Sequence, residues 1–335
     1  MLNLYGYRVE ENDRYIDLGL TSVRHVSDSA EHYFFLDVFP WLRHIPEWVP
    51  FINFTHVAKV GRKISHALLF ELYDLTKKRN AKGDAIESMA SVFLAENTQD
   101  DGAIKDEKDF CAAAATLFIG GADTTVTAMM TFVLSMLKTP DVQRLAQQEI
   151  DQVVGTDRLP TFDDKKNLPY VQAVCAEVLK HAVITPLGLP HLSTSDDNYK
   201  GFNIPAGTTV FANIWKMSND PKLTEDPTMF KPERWLSRED GKDAGVGLHP
   251  RNYIFGFGRR ICAGQKWAEN FLFIIAASML AAFNIERAIG EDGKPIAPNE
   301  DYLQAFVRTL GPSKCKFTPR SKKMASLIRL SVEVD

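Results

Sequence analysis

The sequence predicts a mainly helical protein with a small β portion, and three observations carry that prediction. Long segments repeat apolar residues at helical spacing, and prolines and basic residues fall where helices should stop. After Ala182 the pattern shortens to strand-like runs separated by turns. With 45% hydrophobic and 24% charged residues, the 335-residue chain has apolar mass for a sizeable core. A disordered, collagen-like or disulfide-stapled chain is thereby excluded.

Taken in order, Asp13 to Ser29 and Phe54 to Lys78 read as helices. They are joined by YFFLDVFPWLRHIPEWVPFINF, where Pro40, Pro46 and Pro50 forbid one continuous helix. This aromatic connector could dip into a membrane, but packing against neighbouring helices is the preferred reading. Asp84 to Glu96 reads as a short helix and Glu107 to Leu137 as a long one, ended by Lys138-Thr139-Pro140. Asp141 to Val154 and a helix from Pro169 to about Ala182 follow. The segments HLSTSDD, YKGFNIPAG and TTVFANIWKM read as strands and turns, Gln265 to Phe283 as a helix, and the tail as short strands. No repeat or Gly/Ser/Pro-rich linker divides the chain, so residues 1–335 are expected to form one domain.

Lys+Arg 39 against Asp+Glu 43 gives a net charge of -4, so no basic field favours nucleic acid. Cys111, Cys175, Cys262 and Cys315 lie far apart without a CxxC pair, which fits neither a disulfide framework nor a zinc cluster. The first twenty residues lack the pattern of a secretion signal. The longest apolar-leaning stretch, Phe271 to Phe283, is shorter than the ~20 residues of a spanning helix, so no transmembrane helix is expected. The histidines at 25, 32, 44, 56, 66, 181 and 249 show no metal-ligand spacing and read as solvent or packing residues. Asn53-Phe54-Thr55 is a formal glycosylation sequon that reads as chance.

Two segments break local rules, and chemistry is sought where that happens. In the long helix AAAATLFI gives way to GGADTT, placing Gly120 and Gly121 mid-helix at a cost of ~1 kcal/mol each relative to Ala. Glycines let something approach the backbone, and Thr124 or Thr125 can divert a carbonyl and open the helix locally. A helix-helix contact through small residues, with a satisfied buried Asp123, is the alternative. The other segment is FGFGRRICAG. Gly256 and Gly258 allow positive φ, so the loop can curl its N–H groups toward the Cys262 sulfur, while Arg259, Arg260 and the following helix N-terminus favour a thiolate. Ala263 and Gly264 would let a flat ligand lie against the backbone. A small buried cysteine and a histidine-paired nucleophile are the alternatives, and the glycines, arginines and small-residue platform argue against them.

Here the sequence resembles the cytochrome P-450 family of haem-thiolate monooxygenases. FGFGRRICAG is similar to the family's cysteine-ligand loop through Phe255, Gly258, Arg260, Cys262 and Gly264. GGADTT resembles the oxygen-activating motif of the distal helix (about 107–137), and FKPERW resembles the Pro-Glu-Arg-aromatic motif through Phe230, Pro232, Glu233, Arg234 and Trp235. All three occur in order, and the style is that of fungal microsomal members. The resemblance implies a cytochrome P-450 fold lacking its N-terminal part, since family chains usually carry about a third more sequence there, including a membrane anchor. It also implies haem b (iron protoporphyrin IX) held through the Cys262 thiolate, with Cys262 as the metal ligand. Phe255 would pack beside that sulfur, Arg260 and His191 would bind the propionates, and Gly264 would line the cofactor. Asp123 and Thr124 would be catalytic, relaying protons during O2 cleavage.

The implied partners are a separate NADPH-dependent reductase and a small apolar substrate of secondary or xenobiotic metabolism. The reductase would dock near Arg259, Arg260 and Lys266. Family members lie at the cytosolic face of the endoplasmic reticulum membrane; without the anchor this chain is expected to be cytoplasmic or peripheral. One departure is EVLK, where Glu177 and Lys180 replace Glu-x-x-Arg. Lys cannot make the planar bidentate contact, so the lock with Arg234 is expected to be weaker. A degenerate, non-catalytic paralogue with weak or no haem binding is therefore an alternative, and a haem isomerase or dehydratase is a third reading, against which the Asp123-Thr124 pair argues.

Overall fold

The computed structural model describes residues 1–31, 35–45, 49, 54–236, 249–303 and 307–333. Pro46, Pro50, His32 and Asn53 of the sequon lie outside them. Backbone contacts group the chain into two compact units, Met1–Asp123 and Thr124–Asp335. The division falls inside a continuous helix rather than at a linker.

The first unit holds α1 (Leu2–Tyr5), α2 (Arg14–Glu31), α3 (Phe35–Val38), a 3-10 turn at Pro40–His44, α4 (Phe54–Lys82), α5 (Met89–Asn97) and the start of α6 (Glu107–Lys138). Its core joins Tyr5, Leu68, Leu72, Tyr73, Leu94, Cys111 and Phe118. Where α2 packs on α4, Gly61 leaves room for the His25 ring. α5 starts five residues later than its apolar content predicts, because the Ser88 hydroxyl accepts from Ser91 N at 3.2 Å and Ser91 Oγ accepts from Ser88 N at 2.8 Å. In the connector Val38, Phe39 and Trp41 are exposed, so this part of it does not pack beneath neighbouring helices as expected.

The second unit contains the rest of α6, α7 (Pro140–Val153) and α8 (Pro169–Ala182), both begun by a proline at the first turn. Then come β1 (His191–Leu192), β2 (Asp197–Tyr199), β3 (Phe202–Ile204), β4 (Thr209–Val210), α9 (Ile214–Asn219) and α10 (Gln265–Ala282). β5 (Phe283–Arg287), β6 (Tyr302–Leu303), β7 (Thr309–Leu310), β8 (Cys315–Pro319) and α11 (Lys322–Glu333) complete it. The strands form antiparallel pairs, β1 with β4, β2 with β3, β5 with β8 and β6 with β7. Leu272, Phe273, Ala276, Ala277 and Leu280 bury the face of α10 that meets α7 and α8. The mainly helical reading with a small β portion holds.

Two short helices escape the periodicity. Residues Ile214–Met217, the end of the expected strand segment, fall in α9, because Asn213 Oδ1 accepts from Lys216 N at 2.9 Å and caps a turn. α11 is held by its buried Met324 and a Lys323–Asp157 ion pair. By length and composition alone α6 is apolar enough to cross a membrane, a test that core helices of soluble proteins also pass. Uninterrupted apolar runs miss it, because glycines and threonines dilute the stretch without lowering its mean hydropathy of 1.5 below that of a span.

Candidate cofactor site

The loop Phe255–Gly264 is closed by its own backbone. Gly256 and Gly258 take φ of 80° and 60°, the left-handed region expected of them. Cys262 N donates to Phe255 O at 2.8 Å, and Gln265 N donates to Cys262 O at 3.2 Å where α10 begins. Behind the loop, buried Tyr253 accepts a hydrogen bond from Ser218 Oγ at 3.2 Å. The turn therefore presents Cys262 at the N-terminus of an 18-residue helix.

Cys262 is exposed, whereas Cys111 and Cys175 are buried and Cys315 is half-buried. Burial pushes the Cys111 thiol up to about 11 and the Cys175 thiol to about 12, so these two are inert packing residues. Around Cys262 the side chains of Phe257, Ile261 and Trp267 are also exposed. A methyl group on Gly264 would stand 3.8 Å from the sulfur, in the space beside it. An exposed cysteine flanked in sequence by exposed apolar residues, with no side chain at 264, fits a flat apolar group lying against the loop with a metal on the sulfur. Among the described residues no cluster of His, Cys, Asp or Glu could hold a metal ion by itself. Phe255 is half-buried and packs against the core formed by α8 and α10. Arg260 is exposed in the turn Gly258–Arg260, and His191 is exposed in β1, opposite Val210.

α6 stays helical through GGADTT, so the local opening expected at Thr124 or Thr125 does not occur. A methyl group at Gly120 or Gly121 would meet no described atom within 4 Å. Among the described residues no helix therefore packs tightly against these glycines, whereas an added methyl on Gly19 would lie 2.9 Å from Phe118. Asp123 and Thr124 are half-buried and each has an interaction partner.

Glu177, fully buried on α8, is saturated with donors. Its Oε2 takes Trp235 Nε1 at 2.6 Å and Arg234 Nε at 3.2 Å; its Oε1 takes Lys231 N at 3.1 Å and His181 Nε2 at 3.2 Å. Burial alone would raise this carboxyl, but the His181 hydrogen bond and the charges of His181, Lys180 and Arg234 outweigh it and hold it below its ordinary value. Arg234 also donates to the carbonyls of Lys231, Glu225, Asp226 and Met229, fixing the turn before it. Lys180 is buried but points elsewhere: its Nζ donates to Pro227 O, and burial lowers its pKa. The Glu177–Arg234 contact thus survives the departure at 180. His181, read as a solvent or packing residue, does pack on Phe230, and it also hydrogen-bonds Glu177, from which its spacing of four puts it on the same helix face.

The fold and this loop define a mainly helical protein that offers one cysteine to a flat cofactor. The chain belongs to the cytochrome P450 family, whose model matches residues 4–317. It is 41% identical over 326 residues to cytochrome P450 monooxygenase 208 of Postia placenta, covering 97% of this chain and 62% of that protein. It is 38% identical to cytochrome P450 monooxygenase claR of Ampulloclitocybe clavipes, covering 97% and 60%. It is also 35% identical to tryptamine 4-monooxygenase of Psilocybe cyanescens, covering 96% and 63%. The chain spans about three fifths of the length of the curated relatives it matches. Family membership implies a haem cofactor.

Proposed function

We propose that this chain carries the haem site of a monooxygenase that inserts one oxygen atom from O2 into a small apolar organic substrate. The exposed Cys262 thiol on its glycine-turned loop carries this reading. Cys262 is the residue that would hold the haem iron, and bound haem supplies the centre at which O2 is activated. The loop's own hydrogen bonds fix the sulfur in place, and Gly264 leaves its side of the loop open. Phe255 supports the loop from the core side, while Arg260 and His191 offer positive charge or N–H donors for the propionates. On α6, Asp123 holds and passes a proton and the Thr124 hydroxyl orients the group that receives it. Electrons come from a separate NADPH-dependent reductase.

The surviving Glu177–Arg234 contact supports this reading over a degenerate, non-catalytic paralogue. The deciding experiment is the carbon-monoxide difference spectrum of the dithionite-reduced protein beside Cys262→Ala. A strongly red-shifted Soret band that vanishes in the variant is the expected result. An unshifted band in the parent chain, or no haem uptake, would sink the monooxygenase reading for this polypeptide.

A further inference from the structure

We propose that His181 is a positioning residue for the Cys262 loop, fixing the Glu177 carboxylate in the contact that Lys180 leaves unmade. The inference deepens the cofactor reading above. His181 Nε2 lies 3.2 Å from Glu177 Oε1 and 3.4 Å from Met229 O. Two acceptors on one nitrogen require the hydrogen to sit there, so the ring donates to both. The ring also lies against Phe230, with centroids 5.3 Å apart, which fixes its plane. Lys180, one residue earlier, is turned toward the Pro227 carbonyl. It ties down the same turn without touching the carboxylate.

A chain of contacts leads from Glu177 to the loop. Trp235 Nε1 donates to the carboxylate at 2.6 Å, and the Trp235 ring meets the His249 ring edge-on at 5.1 Å. His249 Nδ1 accepts from Arg251 N at 3.2 Å, and Arg251 pairs with Glu269 in the first turns of α10 at 2.9 Å. α8 itself packs on the turns Pro232–Trp235 and Pro250–Asn252. Both ends of the Cys262 loop are therefore anchored, through these turns and α10, to the carboxylate that His181 orients. A freed Glu177 rotamer would shift Trp235 first and the sulfur last.

The test compares His181→Leu, His181→Gln and Lys180→Met in the full chain, with amide hydrogen exchange at Arg251 and Cys262 as the readout in the absence of haem. Exchange at these two amides should rise about tenfold in His181→Leu beyond any change in global unfolding, the equivalent of one hydrogen bond to a charged group. It should return toward the parent rate in His181→Gln, whose amide can donate from a similar place, and Lys180→Met should leave it nearer the parent. Equal exchange in His181→Leu and the parent overturns the proposal, as does failure of His181→Gln to rescue. Haemin titration then separates the two readings. A parent chain that takes up haemin with a red-shifted carbon-monoxide band, while His181→Leu does so about tenfold more weakly, supports both. A parent that binds no haemin, with the exchange effect intact, removes the monooxygenase reading and leaves His181 in its role.

Discussion

Glu177 and Cys262 sit in the same compact unit and are treated in opposite ways by the chain around them. Glu177 is wholly buried, and four donors from α8 and the turn after Met229 converge on its two oxygens. Cys262 is exposed, in a loop held by backbone hydrogen bonds and beside exposed apolar residues in sequence. A buried charge must be saturated from within or the fold loses stability. A group that serves a ligand must be left available, and the surface around it then resembles an interface with one partner removed. The difference separates a carboxylate that holds the fold together from a cysteine left open to a ligand.

The comparison breaks most visibly at Glu177. Replacing it by Ala leaves Arg234 and His181 without their carboxylate and should cost about 3–5 kcal/mol in denaturant unfolding. Cys262→Ala should remove the long-wavelength Soret band while changing unfolding by no more than about 0.5 kcal/mol, because an exposed side chain supports no packing. Comparable unfolding losses in the two variants would erase the distinction.

Asp164 sharpens it as a second saturated carboxylate. It takes both Arg158 terminal nitrogens at 2.7 Å and Thr161 N at 2.8 Å, and the Arg158 hydrogen bonds hold it well below the usual carboxylate range. A depressed folded pKa contributes stability at pH above the unfolded carboxylate value of about 4, and that contribution is lost as the pH falls below it. Asp164→Asn should cost about 1–2 kcal/mol at neutral pH. The gap from the parent should close in unfolding measured stepwise into acid; a gap that persists there would mean the carboxylate charge is not its source.

The smallest effect is expected at Gly120, an open place like the one beside Cys262. Gly120→Ala should stabilise the chain by about 0.5–1 kcal/mol, because the helix gains propensity and the methyl meets nothing. Destabilisation instead would show that the glycine serves packing.

Much of the site was legible in the chain itself because its signals are local. Positive φ at Gly256 and Gly258, a helix beginning after Gly264 and a cysteine between them need only a few neighbouring residues to be read. The long helices were legible for the same reason, their apolar faces repeating over many turns. α9 was not, since a single Asn213 cap outweighs the strand-like composition of Ile214–Met217. The exposure of Val38, Phe39 and Trp41 was not either, because packing depends on what the rest of the chain brings near.

The sequence by itself determined the helical class, the family and the glycine-turned loop around Cys262, since each rests on residue types at fixed short spacings. Only the tertiary structure decided which side chains answer Glu177. Lys180 and His181 are adjacent in sequence, and spacing permits either to reach that carboxylate from α8. The choice falls to Pro227 and Met229, nearly fifty residues downstream, whose carbonyls draw the lysine away and bring the imidazole in.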